Sequence, residues 1–403
     1  MSARLEGQAW LTDAATQRVM QALEDAGGAD CARFVGGCVR NSLMDQPVDD
    51  IDIATRLKPE ETAAAIQAAG MRVVPTGIEH GTVTAVTDSR GFEITTLRRD
   101  VTTDGRRAIV AFTDDWAEDA ARRDFRLNAL YAGRDGLIHD PTGEGLEDAR
   151  AGRVIFVGEP ERRIEEDYLR ILRFFRFHAW YGRGAPDAPA LAACQAMANG
   201  IARLSAERVS KELLKLLAAP DPRAAVRAMV ATGVLAQVLP EAAGLDVFDR
   251  MTAISAEAAM RLSALLPADP EVVEGAARRL RLSNALRDRL VVAAGPAAPL
   301  DADERAGRAL LYRLGRSIVR DRIVRTRAAL GRAGDGQGLL DLADRWTPPR
   351  LPVGGRDLAR LGVAPGPDTG RLLKAFEESW IADDFPDAGH QARLEALVRG
   401  GRG

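Results

Sequence analysis

The chain has 403 residues, more than the roughly 250 to 300 at which a single core stops growing, and 46% of them are hydrophobic, so several domains with buried cores are expected. Charged residues make up 28% of the chain but nearly cancel, leaving a net charge of −3, which excludes a uniformly basic molecule. Any nucleic acid would have to meet local basic patches. Three cysteines and four scattered histidines argue against a disulfide scaffold and against a zinc site.

The N-terminal segment is polar and acidic, whereas a signal peptide is basic and then apolar. No uninterrupted apolar run reaches the roughly 18 residues of a membrane span. We therefore expect a soluble, cytoplasmic protein without membrane association. No protein partner is predicted.

The first part of the chain alternates helix and strand patterns. A helix is predicted over residues 12–26, ended by a glycine pair, and a second over 59–69, which opens with proline and two glutamates. The predicted strands are 33–35, 48–54, 71–74, 82–87 and 91–98. This mixture indicates an α/β or α+β unit that ends near Asp140.

Beyond residue 160 the pattern becomes rich in Ala, Leu, Arg and Glu and is read as helical. The fold class is therefore assigned as α+β, with an N-terminal head that holds a small mixed β-sheet and helices, followed by an all-helical neck, body and tail. The predicted boundaries are 1–141 for the head, 142–219 for the neck, 220–346 for the body and 347–403 for the tail.

A glycine pair, Gly36-Gly37, follows the first predicted strand and precedes a helix-compatible segment from Val39 to Met44. Backbone N–H groups at such a turn can cradle phosphate oxygens, with Arg40 adding positive charge. An ordinary tight turn explains the same pair and is the commoner meaning of glycine.

Two carboxylates lie in the next predicted strand. Asp50 and Asp52 alternate with Ile51 and Ile53, so at strand periodicity both carboxylates share one face and repel unless a cation lies between them. Hard oxygen ligands suit Mg²⁺, whereas a calcium loop would need further ligands and a central glycine. An exposed strand edge is the plainer alternative. Glu93, on a later strand, could join the pair or simply face solvent.

Six motifs then follow one another within residues 30–217: GGCVR, DIDIAT, TGIEHGTV, EITTLR, ARRDFRLNAL and EEDYLRILRFFRF. This ordered set resembles the class II tRNA nucleotidyltransferase and poly(A) polymerase family, within the nucleotidyltransferase superfamily. A weaker likeness to the tail of CCA-adding members runs from Gly355 to Leu373. Two positions depart from the family pattern: Asn41 stands where Asp is usual, and Arg126 where Thr is commoner.

The resemblance implies a catalytic nucleotidyltransferase head in which Asp50, Asp52 and Glu93 are catalytic and the two aspartates hold Mg²⁺. It also implies that Asp167 and Arg170, in an EDxxR motif, read the incoming base. The residues assigned to the nucleotide are Gly36, Gly37, Arg40, Arg123, Asp124, Asn128, Asp167, Arg170, Arg173 and Arg176.

The base-reading assignment has a chemical basis on a helix predicted from Glu165 to Phe177. Asp167, Arg170 and Arg173 follow at three-residue steps on one face, away from an apolar stripe. Cytosine and adenine both present an amino donor beside a ring-nitrogen acceptor, which a carboxylate and a guanidinium can satisfy together. Uracil and guanine would leave polar groups unpaired. An ordinary surface ion pair between Asp167 and Arg170 is the alternative.

Three further segments acquire roles from the resemblance. Arg123, Asp124 and Asn128 look like sugar and phosphate contacts, with the last two on one face of a predicted helix. Residues 205–215 resemble a motif that braces the base-reading helix. Residues 98–119 resemble a flexible loop that helps CCA-adding members to switch from C to A, although their composition fits any loop.

The implied activity is addition of C, C and A to the 3′ end of tRNA from CTP and ATP. A poly(A) polymerase, an enzyme that adds only CC or only A, and a catalytically silent RNA-binding relative are the alternatives. The tail is assigned to RNA binding. Arginines of the helical body could form a basic stripe for an RNA backbone, or merely a solvated face. They are Arg278, Arg279, Arg281, Arg313, Arg316, Arg320, Arg322 and Arg325.

Overall fold

The structure, a computed structural model, describes residues 3–77, 81–104 and 107–400. It divides into two compact units, Met1–Ala242 and Ala243–Gly403. All the described strands lie in the first unit. Among the described helices, none has the length and hydropathy needed to cross a bilayer. The proposed boundaries between head, neck, body and tail stay predictions.

The strands are β1 (Ala32–Val35), β2 (Asp52–Thr55), β3 (Arg72–Gly77), β4 (Thr82–Thr87), β5 (Arg90–Thr96), β6 (Arg98–Asp104), β7 (Arg107–Phe112), β8 (Tyr131–Ala132) and β9 (Ile138–His139). Seven of them form one sheet in the order β3-β4-β5-β2-β1-β8-β9. The pair β2 and β5 is parallel and the other pairs are antiparallel, so the predicted mixed sheet is confirmed.

The strand that carries the paired aspartates is shorter than predicted. It begins at Asp52, whereas the sequence pattern predicted a start at Val48. The neighbouring strand explains the difference, because β1 pairs with β2 only from Phe34 opposite Ile53 onward and ends before the glycine turn. Residues before Asp52 therefore approach the sheet without joining it.

The helices of the first unit are α1 (Ala9–Thr12), α2 (Ala14–Gly27), α3 (Gly37–Leu43), α4 (Pro59–Ala68), α5 (Trp116–Ala121), α6 (Gly145–Ala151), α7 (Pro160–Glu166), α8 (Leu169–Tyr181), α9 (Ala188–Ala196), α10 (Ala206–Leu217), α11 (Arg223–Ala231) and α12 (Val234–Val238). Within the described part of this unit, 3₁₀ helices occur at Arg126–Asn128 and Ala198–Arg203. The predicted helices over 12–26 and 59–69 are confirmed as α2 and α4, within two residues at each end.

The predicted helix from Glu165 to Phe177 is instead two helices. Helix α7 ends at Glu166, and Asp167 is extended, with φ −157° and ψ 106°, before α8 begins at Leu169. The prediction was wrong here because the local sequence contains neither Gly nor Pro and keeps helical periodicity. The break places Asp167 outside the helix that carries Arg170.

An aromatic cluster joins helix α8 to the sheet-bearing part of the unit. Phe125 lies 4.9 Å from Phe156 and 5.1 Å from Phe177, measured between ring centroids. Phe174 stacks on Phe156 at 5.9 Å. All four rings are buried, so this cluster fixes α8 against the chain that precedes it.

The segment compared with a flexible loop is largely a β ribbon. Strands β6 and β7 pair antiparallel, from Arg98 opposite Phe112 to Asp104 opposite Arg107. Helix α5 follows, with Asp115 accepting a hydrogen bond from Ala117 N at its start. Gly105 and Arg106 lie outside the described residues, as do Ile78, Glu79 and His80 of the TGIEHGTV motif.

The second unit is helical where it is described, as predicted. Its helices are α13 (Asp246–Ile254), α14 (Ala258–Leu265), α15 (Pro270–Arg279), α16 (Asn284–Ala293), α17 (Glu304–Leu314), α18 (Arg316–Leu330), α19 (Gln337–Arg345), α20 (Gly355–Arg360), α21 (Pro367–Ala382) and α22 (His390–Gly400). One apolar cluster contains Leu311 and Ile323, and another surrounds Phe376 and Trp380.

Several arginines of the predicted basic stripe have partners inside this unit. Arg313 pairs with Glu378 at 2.5 Å, and Arg320 pairs with Asp344. Arg325 is buried and donates to the Leu266 carbonyl, 3.0 Å away. The two acidic partners, Glu378 and Asp344, lie on α21 and α19, which follow these arginines at a distance in the sequence.

Candidate active site

The paired carboxylates lie where β2 enters the sheet. Asp52 is the first residue of β2, and the parallel register places Glu93 of β5 directly beside it. Asp50 is exposed and precedes the strand by two residues. The prediction that a neighbouring strand brings Glu93 next to Asp52 is therefore confirmed, although Asp50 is not part of the strand.

The electrostatics of Asp52 indicate an uncompensated negative charge. Burial, followed by the charges of Glu93 and Asp50, raises the pKa of Asp52 to about 6, and Arg123 opposes this rise. Among the described residues, no ion pair within 4 Å is recorded for Asp50, Asp52 or Glu93. A bound cation would relieve this repulsion.

The donor set fits a divalent metal that is shared with a substrate. Within the described chain, no group of three or more His, Cys, Asp or Glu side chains is arranged to hold a metal ion. Mg²⁺ is usually bound through one or two carboxylates, with waters and substrate phosphates completing its shell. Asp50 and Asp52 can supply those carboxylates, while Glu93 contributes negative charge beside them.

The glycine turn lies at the end of the neighbouring strand. Gly36 has φ 70° and ψ −117°, a backbone conformation that side chains disfavour, and α3 begins at Gly37. The first amides of a helix have no acceptor within the helix and so face outward. A Cβ atom at Gly36 would lie 3.7 Å from Nη1 of Arg123, so a fixed cation stands beside the turn.

Arg123 is held by two groups of the same unit. Its Nη2 pairs with Oδ2 of Asp119 at 3.0 Å, and its Nε donates to the Tyr131 hydroxyl, 3.2 Å away. Burial alone would lower the pKa of Arg123, but Tyr131 and Asp119 outweigh burial and raise it. Arg123 is thus a cation fixed by the protein close to the glycine turn, and its charge also acts on Asp52.

The other two residues of the ARRDFRLNAL motif meet in a way the sequence did not predict. Helix α5 ends at Ala121 and only a 3₁₀ turn contains Asn128, so Asp124 and Asn128 do not share a helix face. They still meet, because Asn128 Nδ2 donates to Asp124 Oδ1 at 3.0 Å. Burial raises the pKa of Asp124, but Arg173 and Asn128 outweigh burial and lower it.

Arg40 was predicted to add positive charge where the glycine turn would bind phosphate, but its side chain is directed into the protein. Its buried guanidinium donates to Asn128 Oδ1 at 2.5 Å, to Asn41 Oδ1 at 2.7 Å and to the Tyr181 hydroxyl at 2.8 Å. Asn41, one of the two departures from the family, also donates to the Pro47 carbonyl. Arg126, the other departure, pairs with Glu144.

Asp167 and Arg170 do not pair with each other. Asp167 accepts from Arg208 Nη2 at 2.7 Å and, through its other oxygen, from Leu169 N at 3.1 Å. Arg170 pairs with Glu166 and donates to the Arg163 carbonyl at 2.8 Å. The surface ion pair considered from the sequence is therefore wrong, and each group is positioned by a separate partner.

The remaining arginines of α8 have partners on other elements. Arg173 Nε donates to Asp124 Oδ2 at 2.7 Å, and Arg176 pairs with Glu212 of α10 at 2.6 Å. Trp180 donates to the Lys215 carbonyl at 2.8 Å. Helix α10 therefore lies along α8, as the predicted bracing segment should.

Sequence reasoning missed three partners of these residues. Asp119 precedes Arg123 by four residues, so helical spacing could have found it. Arg208 lies within the bracing motif, but nothing local links it to Asp167. Tyr181 and its contact with Arg40 bridge 141 positions and have no sequence signal.

Comparisons with known proteins agree with this geometry. Residues 32–155 match the family described as Poly A polymerase head domain, and residues 187–245 match Probable RNA and SrmB- binding site of polymerase A. The sheet, the glycine turn and the carboxylates thus define a nucleotidyltransferase.

Individual relatives show which kind of nucleotidyltransferase the chain is similar to. The human protein named CCA tRNA nucleotidyltransferase 1, mitochondrial, is 35% identical over 382 residues, covering 91% of this chain and 85% of the relative. The CCA-adding enzyme of Lactobacillus delbrueckii subsp. bulgaricus is 32% identical over 399 residues, covering 92% and 95%. The chain belongs to the family of CCA-adding tRNA nucleotidyltransferases.

A solved structure matches nearly the whole chain. The crystal structure of the Bacillus stearothermophilus CCA-adding enzyme in complex with CTP superimposes with a TM-score of 0.80 at 28% identity, covering 96% of this chain and 97% of that one. The predicted fold class, with a sheet-bearing head followed by helices, is confirmed.

Proposed function

We propose that this chain adds C, C and A to the 3′ end of tRNA without a nucleic-acid template, using CTP and ATP. The observation that carries the proposal is the parallel pairing of Asp52 with Glu93 near Arg123 and the glycine turn. Burial, followed by the charge of Glu93, raises the pKa of Asp52 to about 6. Unbalanced acids beside a fixed cation suit a metal-bound triphosphate.

Asp50 and Asp52 would hold Mg²⁺, and a divalent ion bound there would lower the pKa of the tRNA 3′-hydroxyl and offset charge on the departing pyrophosphate. The turn at Gly36 and Gly37 offers the Gly37 amide to the triphosphate, whereas the Gly36 amide already donates to the Leu130 carbonyl, 3.2 Å away. Arg123 supplies a fixed positive charge beside that turn. The hydroxyl then attacks the α-phosphate in line with the leaving group.

Asp167 and Arg170 would select the base. A carboxylate accepts from the exocyclic amino group and a guanidinium donates to the ring nitrogen, an arrangement that C and A share. U and G would place an acceptor against the carboxylate and a donor against the guanidinium, at about 1 to 3 kcal/mol for each unpaired group. Arg208 and Glu166 support this role, because each holds one of the two reading groups.

Asp124 and Asn128 are proposed to contact the ribose, with Arg173 holding Asp124 in place. Arg176 would act from a greater distance by tying α8 to α10. Cytoplasmic location stays a prediction, since the matched human relative is named as mitochondrial.

The direct test is incorporation of labelled CTP and ATP into a tRNA transcript that lacks its terminal CCA. The proposal predicts two C additions followed by one A, and no extension by UTP or GTP. A ladder from ATP alone would indicate a poly(A) polymerase, and a product that stops after CC would indicate a CC-adding enzyme. An A-adding enzyme would extend only a transcript that already ends in CC.

A silent RNA-binding relative is the alternative of a different class. It predicts tRNA binding without incorporation by the unaltered chain. RNA binding must be measured at one fixed salt concentration, because phosphate contacts weaken as salt rises. Under the proposed function, Asp52→Ala abolishes incorporation while leaving that binding measurable.

A further inference from the structure

The starting observation is a continuous chain of buried and partly buried polar contacts between the glycine turn and helix α8. Arg40, on α3, donates to Asn128 and to Tyr181, and Asn128 donates to Asp124. Asp124 in turn accepts from Arg173. The chain therefore reaches α8 twice, at Arg173 in its middle and at Tyr181, its last residue.

The same network touches the turn itself. A Cβ atom on Gly37 would lie 3.9 Å from Nη2 of Arg40, the nitrogen that bonds to Tyr181. The guanidinium carbon of Arg40 also lies 4.0 Å from the centre of the Tyr181 ring. One side chain thus lies against both the turn that would bind phosphates and the helix that bears Arg170.

Neutral groups hold the charge of Arg40. Within the described chain, no ion pair is recorded for this guanidinium, and its acceptors are the side chains of Asn41, Asn128 and Tyr181. Burial lowers its pKa, followed by an opposing contribution from Tyr181. Among these acceptors, Tyr181 alone belongs to α8, and it contacts Arg40 through both its hydroxyl and its ring.

We propose that Arg40 and Tyr181 are positioning residues that set the angle of α8 relative to the glycine turn and thereby sharpen the choice of base. This inference rests on the proposed function. The triphosphate is held by the head, while Arg170 lies in the first turn of α8. A small roll of the helix would therefore move Arg170 across the base edge without moving the phosphates.

The test compares two variants at the same end of α8. Tyr181→Phe removes the hydroxyl bonded to Arg40 but keeps the ring. Trp180→Phe removes a hydrogen bond of the same length, 2.8 Å, that goes to the Lys215 carbonyl instead. Each full-length variant is assayed for kcat/KM with CTP and with UTP on tRNA lacking CCA, alongside thermal unfolding.

We expect Tyr181→Phe to lower the CTP-to-UTP ratio of kcat/KM by roughly three- to tenfold, the scale of one ordinary hydrogen bond, because the lost bond acts on the base only through the position of α8. Trp180→Phe should leave the ratio within twofold of the unaltered chain. Tyr181→Leu, which also removes the ring, should lower the ratio further. A purely structural role would change the unfolding temperatures of both variants and the ratio of neither.

An unchanged ratio in Tyr181→Phe overturns the inference, as does an equal fall in Trp180→Phe. These outcomes leave the proposed function intact, because both variants would still add C. Failure of the unaltered chain to incorporate CTP overturns the proposed function instead, and this inference with it.

Discussion

The sheet and helix α8 of the first unit differ in how their charged side chains are paired. At the sheet, Asp50, Asp52 and Glu93 lie together without a recorded ion pair among the described residues, and the pKa of Asp52 rises to about 6. Along α8, Arg170 and Arg173 each have a carboxylate partner within the protein. The beginning of β2, beside β5 in the middle of the sheet, thus carries acids that an external cation can balance, whereas these arginines of α8 already have carboxylate partners.

This difference separates two kinds of functional residue. Carboxylates that bind a cation can repel one another until the cation binds, and this repulsion lowers the stability of the folded protein. Groups that read a base must already be in position, because discrimination depends on the geometry of individual hydrogen bonds. Substitutions in the two regions should therefore have different consequences.

The largest effect is expected at the sheet. Asp52→Ala should lower CTP incorporation by about a thousandfold or more, since charge neutralisation at the phosphates is worth several kcal/mol. Single-turnover incorporation into tRNA lacking CCA measures this loss. Asp25→Ala, which removes an exposed carboxylate of the same unit, is the control and should retain full activity. Near-normal rates of CTP incorporation by the Asp52→Ala variant would contradict the assignment of Asp52 as catalytic.

Next in size is a loss of stability at the helix. Asp124→Asn should lower the free energy of unfolding by about 2 kcal/mol, because it removes the charged partner of Arg173 in a pair that is only partly buried. Denaturant unfolding followed by circular dichroism checks this value. Glu147→Gln removes an exposed carboxylate and should have no measurable effect. If the two variants are equally stable, this pair does not organise α8.

A smaller effect concerns selectivity. Arg170→Ala should reduce the CTP-to-UTP ratio of kcat/KM by roughly tenfold, the scale of one hydrogen bond to a charged group, and should change folding less than selectivity. Competition assays with both nucleotides give the ratio. Arg162→Ala, an exposed arginine of α7, should leave selectivity unchanged. Undiminished selectivity in Arg170→Ala would refute its role in base reading.

The smallest expected effect is a gain in the stability of the folded protein rather than a loss of function or stability. The folded-state pKa of Asp52 lies above its ordinary value of 3.8, so its ionised form destabilises the folded protein above pH 6 and this effect disappears as the pH falls towards 4. With a chelator present at pH 7.5, Asp52→Asn should therefore stabilise the protein by roughly 1 to 2 kcal/mol. Thermal unfolding at pH 7.5 and pH 4 measures this gain and its disappearance. An Asn variant less stable than the unaltered chain at pH 7.5 would show that Asp52 is already compensated.

The sequence predicted the region around Asp52 and Glu93 well because its features are local. Residues 82–87 form the predicted strand, the glycine pair forms the predicted turn, and alternation in the fifth strand placed Glu93 beside Asp52. These outcomes depend on period-two patterning and on glycine, whose effects act over a few residues.

The helical region was harder because distant partners decide its geometry. The extended conformation of Asp167 accompanies its bond to Arg208, 41 positions away, and no Gly or Pro marks the break. Likewise, the sequence suggested that Arg40 adds charge at the phosphates. Its contact with Tyr181, 141 positions away, has no local signature and was not predicted. Sequence patterns identified candidate residues but not their partners.

Manganese binding tests the central comparison most directly. Electron paramagnetic resonance can count Mn²⁺ bound to the protein with a nonhydrolysable CTP analogue, for the unaltered chain and for Asp52→Asn. We predict tight binding by the unaltered chain and a loss of at least about tenfold in affinity for the variant. Equal Mn²⁺ affinities of the unaltered chain and Asp52→Asn would contradict the claim that these carboxylates form a cation site.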